Sequence, residues 1–254
     1  MIERVFVKTI ASVQVRMGSS RLPGKVMRLV RSRPLLAYLL DRLRLSKTLE
    51  GIIIATSTAV ENDVIEEFCR KEGVACFRGS ETDVLDRTLQ SLNSMGATVG
   101  VEVFGDGPLI DPEVIDQVVD YYVKNPGYDY VGNDLKTTYP PGMEVEVFSK
   151  KALSDSSDRL PPSDPKREHG TLFIRQNPDI YKIINMEAPA RHHRPDLELE
   201  VDTSEDFQVI SRVIEHFSGR ADFTLEEIIE FMDGNPEISN INRQVPRRWK
   251  KYRE

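Results

Sequence analysis

Near its start the chain reads Gln14-Val-Arg-Met-Gly-Ser-Ser-Arg-Leu-Pro-Gly-Lys25, which places Arg16, Arg21 and Lys25 beside Gly18, Gly24, Ser19 and Ser20. An apolar, β-rich run from Ile10 leads into this loop, and a helical pattern follows it. Glycines let backbone N–H groups approach an anion and cations neutralise it, so the loop has the composition of a phosphate grip. It is not a P-loop: five residues, not four, separate Gly18 from Gly24, and Val26 stands where a metal-binding hydroxyl is required. The G-x-G-x-x-G dinucleotide fingerprint is also absent. The plainer alternative is an ordinary basic turn between strand and helix.

Two acids are the natural partners of such a loop. Asp106 stands between Gly105 and Gly107 at the end of an apolar run, and Asp202 follows another extended run and precedes a helix. Carboxylates so placed suit magnesium, which is usually held by one or two acids plus substrate phosphates. A strand-end Asp is also a common helix cap. Two acids with the same placement argue for convergence on one cation. Further along, Arg167 with His169, and residues 191–194 (Arg-His-His-Arg), form two basic patches. Arginine binds carboxylate or phosphate bidentately, so either patch could hold the acidic group of an acceptor, the plainer alternative being a solvated cluster, which is slightly favoured for residues 191–194. The pair His192-His193 lacks the further ligand spacing of a zinc site.

The elements that must position these residues alternate. Helices are expected from the spacing of Leu35, Leu36, Leu39, Leu40 and Leu43 after Pro34, from Val60, Val64, Ile65 and Phe68, from residue 79 onward, and over 112–124. Between them, 51–56, 74–77, 98–104 and 128–131 read as strands. This alternation predicts an α/β, doubly wound sheet with ligands at the carboxyl ends of its strands. It weakens over residues 133–200, which include Tyr139-Pro-Pro-Gly142, a strand at 143–148, a polar stretch at 154–166 and apolar runs at 171–174 and 180–184. We read this segment as an insertion that carries substrate or subunit contacts, in preference to a functionless surface excursion. Regularity returns where Thr203 or Ser204 can cap a helix, and where Thr224 with Glu227 fits a capping box. The basic C-terminal tail (Arg243, Arg247, Arg248, Lys250, Lys251, Arg253) is expected to be solvated.

Composition narrows the classes. With 254 residues, 39% of them hydrophobic, the chain can build one full domain, and a net charge of −7 argues against a general nucleic-acid binder. Cys69 and Cys76 are too few for a disulfide framework and suit free thiols in a reducing compartment. No run of eighteen apolar residues occurs and the first residues hold no long apolar stretch, so a cytoplasmic protein without membrane contact is expected.

The ordered set of motifs resembles the cytidylyltransferases that make CMP-activated acidic sugars, including acylneuraminate and KDO cytidylyltransferases, and in particular the branch named for spore coat polysaccharide biosynthesis protein F. The matching segments are the opening loop, Ala55-Thr56-Ser57, residues 78–87, Gly105-Asp-Gly-Pro-Leu-Ile-Asp-Pro112, residues 138–148, Arg167-Glu-His169 and residues 201–206. The resemblance implies a GT-A-type, three-layer Rossmann-like nucleotidyltransferase fold, with a mostly parallel mixed sheet and an inserted dimerisation or substrate segment. It implies that a sugar hydroxyl attacks the α-phosphate of CTP and that pyrophosphate leaves, in surface polysaccharide or glycan assembly. Arg16, Arg21 and Lys25 then correspond to triphosphate-binding cations, with Gln14, Gly18, Ser19, Ser20, Thr56 and Phe104 around the nucleotide. Asp106 and Asp202 correspond to ligands of Mg2+, and Glu144, Arg167 and His169 to contacts of an acidic or amino sugar. A homodimer through residues 133–200 is implied too, with Leu172-Phe-Ile174 as a candidate interface. Phe104 stands where sialate and KDO members carry a Gln that reads the cytosine, and it offers stacking surface without a hydrogen bond. Gly107 and Glu144 also depart from the pattern, at positions bordering the expected acceptor pocket. A GT-A glycosyltransferase is the nearest alternative, but its Asp-x-Asp signature is missing, since Pro108 follows Asp106 by two. A non-catalytic nucleotide-binding relative is the other, against which stands the retention of Arg16, Lys25, Asp106 and Asp202.

Overall fold

The opening apolar run forms β1 (Thr9–Gln14), whose side chains are almost all buried because it lies inside a seven-stranded sheet. The computed structural model describes residues 7–218, 220–247 and 250. The helix expected after the basic loop begins at Leu35, directly after Pro34. Before it, a single turn (Lys25–Met27) leads into a hairpin of β2 (Leu29–Val30) and β3 (Arg33–Pro34), whose tip residues Arg31 and Ser32 have φ of 48° and 66°. Two left-handed residues in succession break a helix, so α1 (Leu35–Leu43) starts only after Pro34, with the five leucines buried as their spacing requires.

Strands and helices then alternate as expected: β4 (Gly51–Ser57), α2 (Asp63–Glu72) ended by left-handed Gly73, β5 (Ala75–Gly79), α3 (Val84–Ser94), β6 (Val99–Phe104) and α4 (Pro112–Lys124). Residues 133–200 return to the same sheet. Beyond β7 (Tyr130–Gly132), β8 (Val145–Ser149) inserts between β6 and β7 and runs antiparallel to both. There follow α5 (Lys150–Arg159), which takes up the first part of the polar stretch, α6 (Leu172–Arg175), and β9 (Ile183–Asn185), parallel to β7. The strand order is β5-β4-β1-β6-β8-β7-β9, a mostly parallel mixed sheet. The chain finishes with α7 (Ser204–His216), α8 (Leu225–Gly234) and α9 (Pro236–Ser239). Both capping boxes form: Thr203 with Asp206, and Thr224 with Glu227.

Alternation along the strands sends successive side chains to two different layers. Val99, Val101, Val103, Val145 and Val147 face the core built with α1, α2, α4, α7 and α8. On the other face Tyr130 and Phe148 pack with α3, α5 and α6. Glu102 and Glu146 share that second face by register. Among the described residues, no helix is long and apolar enough to cross a membrane.

Candidate active site

Three loops converge at the carboxyl end of β1 and β6. Met17 donates its N–H to Asn62 Oδ1 (2.8 Å), and left-handed Gly24 donates its own to the Met17 carbonyl (2.8 Å), closing the loop and turning Lys25 back over the sheet. After β6, a Cβ on Gly105 would stand 2.9 Å from the Gln14 carbonyl oxygen, so only glycine lets the chain pass this close to β1 before Asp106. The third loop is docked by its backbone. Leu199 donates to the Pro141 carbonyl (2.8 Å) and Val201 to that of Asp106 (2.8 Å), which sets Asp202 beside Asp106. Asp206 secures this placement from below, because one of its oxygens accepts the N–H groups of Asp202 (3.0 Å) and Thr203 (2.9 Å).

Lys25 Nζ lies 2.9 Å from an oxygen of Asp106 and 2.9 Å from one of Asp202. Arg21 also pairs with Asp202, and Arg16 pairs with Glu81 (3.1 Å) in a half-exposed position. Burial by itself would lower the Lys25 pKa, but the two carboxylates outweigh it and raise it, so the ammonium stays charged. Burial likewise opposes ionisation of Asp202, and Lys25 and Arg21 more than reverse that, holding its pKa below the usual range. Since both acids reach one ammonium nitrogen, a hard cation near that point would find two carboxylate donors. Among the described residues, no cluster of three or more Asp, Glu, His or Cys forms a cage. An ion at this site would therefore complete its shell with phosphate and water oxygens, as magnesium commonly does.

From this mouth a cleft of about 440 Å3 runs down between the sheet and helices α3 and α6, with Arg16, Ser19, Ser20, Arg21, Lys25, Asp106 and Asp202 at one end. Gln14 and Phe104 form the next level. Gln14 is held by donating to Ser12 Oγ (3.0 Å) and accepting from Arg87 Nε (2.9 Å). The floor is acidic. Glu102 and Glu146 are cross-strand partners, and Arg175 from α6 reaches both Glu146 (3.1 Å) and Asp134 (3.1 Å). Thr171 donates to Glu146, and Tyr130 donates to Asp134. Burial pushes Glu102 up to about 7 despite the opposing guanidinium groups of Arg175 and Arg87. Burial, then Asp134, pushes Glu146 well up. His169 lines the cleft, and burial followed by Arg175 lowers its pKa, so its imidazole is neutral at pH 7.

Several candidates lie elsewhere. Arg167 is buried outside the cleft, where it donates to Asp83 (2.7 Å), to the carbonyls of Ser157 (3.0 Å) and Leu160 (3.1 Å), and to Ser157 Oγ (3.1 Å). Asp83 caps α3, so Arg167 pins that helix, with four of its five N–H donors engaged away from the cleft. Glu144 accepts from the Gly142 N–H (2.8 Å) and, like Gly107 packed on the Gly142 backbone, is buried away from the cleft. Thr56 is fully buried and Gly18 exposed, and neither lines the cleft. Leu172 and Ile174 are buried within the protomer and so present no apolar interface. Arg194 pairs with Asp196 (3.1 Å) and Asp233 (2.6 Å), and Arg191 stands 3.9 Å from Glu226, which ties residues 191–194 to α8.

Sequence reasoning also missed residues. Arg247 is not solvated: its side chain is 4% exposed and it bonds Asp206 (2.8 Å), the residue that holds the Asp202 backbone. A buried carboxylate needs a counter-ion, and the tail supplies it. Arg248, Lys251 and Arg253 lie outside the described residues. Arg87, Glu102, Glu146, Thr171 and Arg175 were not anticipated either. The available signal was a glutamate in the middle of each of two apolar strands, Val-Glu-Val-Phe in both cases.

A cationic loop facing two acids at the carboxyl ends of a mostly parallel sheet defines a nucleotidyltransferase of the three-layer α/β type. The sequence profile of the cytidylyltransferase family matches residues 10–243, and the chain belongs to that family. It is 36% identical over 232 residues to spore coat polysaccharide biosynthesis protein SpsF of Bacillus subtilis, covering 89% of this chain and 95% of that protein. It is 38% identical over 251 residues to an uncharacterized protein of Methanocaldococcus jannaschii, covering 97% and 98%. The solved structure of a cytidylyltransferase from Leptospira borgpetersenii superposes with a TM-score of 0.87 at 30% identity, covering 95% of this chain and 99% of that one.

Proposed function

We propose that the protein transfers CMP from CTP to a sugar or sugar acid, with release of pyrophosphate, to supply activated sugar for surface polysaccharide or glycan assembly. The observation that carries this reading is the placement of Lys25 Nζ 2.9 Å from both Asp106 and Asp202, at the mouth of a cleft large enough for nucleotide and acceptor. An acceptor hydroxyl oxygen bonds to the α-phosphorus and gives up its proton to solvent, the bond from that phosphorus to the bridging oxygen breaks, and pyrophosphate carries the electron pair away. Arg16 and Arg21 bind the outer phosphates, and Lys25 moves from its two acids to the phosphate oxygens on which charge builds. Such transfers depend mainly on positioning and charge neutralisation. Asp106 and Asp202 would hold Mg2+, which when bound supplies further neutralisation of the triphosphate. Phe104 presents a ring face to the base, while Gln14 and Arg87 offer polar atoms beside it.

The same proposal includes a cytoplasmic location and a homodimer, for which a monomeric mass by light scattering would be contrary evidence. The functional test is pyrophosphate release from CTP and other triphosphates with Mg2+ and a panel of ulosonic acids, hexoses and amino sugars. Turnover that prefers CTP and collapses in Lys25→Ala is expected. Absence of turnover with every pair, or an unaffected Lys25→Ala, sinks the reading. The glycosyltransferase alternative predicts release of a nucleoside diphosphate instead.

A further inference from the structure

We propose that the protein has a second ligand site, separate from the candidate active site, that takes an aliphatic chain ending in an anionic phosphate or carboxylate head. The inference goes beyond the cytidylyltransferase reading and does not depend on it.

A cavity of about 410 Å3 lies between the β2–β3 hairpin, α1, the loop after β6 and the segment that joins α7 to α8. That volume is within the range of small-molecule sites. The cavity shares no lining residue with the cleft. Much of its wall is apolar, built from Pro108, Leu109, Ile214, Phe217 and Phe223. The Phe223 ring is already covered: the Arg42 guanidinium carbon lies 4.0 Å from its centroid, and Phe217 stacks on it with centroids 4.4 Å apart. Phe223 therefore has no face free to stack on a base, and the wall offers aliphatic carbons and ring edges. Such a wall suits an aliphatic chain better than a flat ring.

The charged lining names the head. It holds four arginines, Arg31, Arg33, Arg42 and Arg220, against one acid, Asp41. Arg33 is paired with Asp41 (2.8 Å), and Arg220 with Asp222 (3.1 Å) and Glu227 (2.7 Å). Arg42 is fully buried, and the groups it donates to are neutral: the carbonyls of Ile110 (2.6 Å), Ala221 (2.9 Å) and Phe223 (2.9 Å). Burial pulls its pKa down to about 10, and the surrounding acids Asp111, Asp222 and Glu227 do not make up the loss. A further negative charge beside Arg42 would be favourable. Arg31 stands exposed at the hairpin tip, where it and Ser32 form a two-residue turn with φ of 48° and 66°. Asn-Gly adopts that turn with the least strain. An arginine kept there against its backbone preference fits a contact for a ligand, since strain of this kind is characteristically retained at ligand sites. Its guanidinium can bind phosphate or carboxylate bidentately.

The test is titration of the full chain with octyl phosphate, octanoate, octanol and inorganic phosphate, below micelle-forming concentrations, followed by calorimetry and methyl NMR. The two anionic chains should bind about tenfold or more tightly than octanol and than inorganic phosphate, because hydrogen bonds to charged groups carry that much. The methyl signals of Leu109 and Ile214 should move, while those of Val15 and Val26, which line the cleft, should not. Arg31→Gly, which suits the turn, should weaken both anions by about threefold or more and leave octanol unchanged. Tighter binding of octyl phosphate than of octanoate would make the head a phosphate, and the reverse a carboxylate; either upholds the site. Binding of none, equal binding of octanol or inorganic phosphate, shifts confined to Val15 and Val26, or an unaffected Arg31→Gly overturns the proposal. Each of these outcomes is read without turnover of CTP, so failure here and failure of the transferase reading are distinct.

Discussion

At the mouth of the cleft Lys25 meets two carboxylates delivered by loops far apart in the chain, whereas at the floor Glu102 and Glu146 face each other from paired strands. Both ends bury charge, but the balance differs. The mouth holds two acids against Lys25 and Arg21, each charge paired by an oppositely charged neighbour. At the floor Glu102 and Glu146 are fixed by the sheet, and burial pushes both carboxyl groups up, so they keep their protons longer than free acids do. The contrast teaches that mouth charges are held by partners from separate loops and can exchange them, whereas at the floor Glu146 is already held by Thr171 and Arg175.

The largest expected effect breaks the mouth. Lys25→Ala should lower the rate of pyrophosphate release by about 10^2–10^3-fold, as loss of one preorganised electrostatic contact usually does. A fall of less than tenfold in kcat would mean that the ammonium is not placed for catalysis. Next, Arg167→Ala should destabilise the fold by about 3–5 kcal/mol in urea unfolding, because it strands Asp83 and frees the wall formed by α3. If Arg167 bound the acceptor instead, stability would hold and acceptor KM alone would rise.

Glu102→Gln probes the floor through pH. The folded carboxyl titrates near 7 rather than near its ordinary 4.5, so the folded state keeps its proton where the unfolded chain has lost it. Stability is therefore lost as pH rises from about 4.5 to about 7, and the cost levels off above that. The substitution should leave stability unchanged at pH 4 and raise it by up to about 3 kcal/mol at pH 8, read from unfolding free energies at the two values. A pH-independent difference would show that Glu102 is not the group that titrates. The smallest effect belongs to Arg16→Ala. Its half-exposed pair with Glu81 should contribute under about 1 kcal/mol, whereas KM for the triphosphate should rise several-fold in steady-state assays.

Much of this arrangement was legible in the residues. The basic loop, the alternation that builds the sheet, the Thr224–Glu227 capping box and Asp106 after β6 all depend on local spacing or short-range chemistry, whereas Asp202 follows a loop and not a strand. The misplacements have a common cause. Arg167 and Glu144 are polar residues in a motif, which looks the same whether their hydrogen bonds go to a ligand or to the chain. Thr56 stands one residue before the end of a central strand, but its side chain is fully buried. The small hairpin between the loop and α1 was not foreseen, because two non-glycine residues, Arg31 and Ser32, adopt left-handed conformations that no composition rule marks.

By itself, the sequence determined the class of chemistry: a cationic loop with Asp106 and Asp202 available to it, carried on an alternating α/β chain. Tertiary structure decided which charges meet. Insertion of β8 beside β6 put Glu146 opposite Glu102, and the folding back of the tail put Arg247 under Asp206. Pairing between residues far apart in the chain is set by strand register and by the neutralisation of buried charge, and neither is written in local spacing.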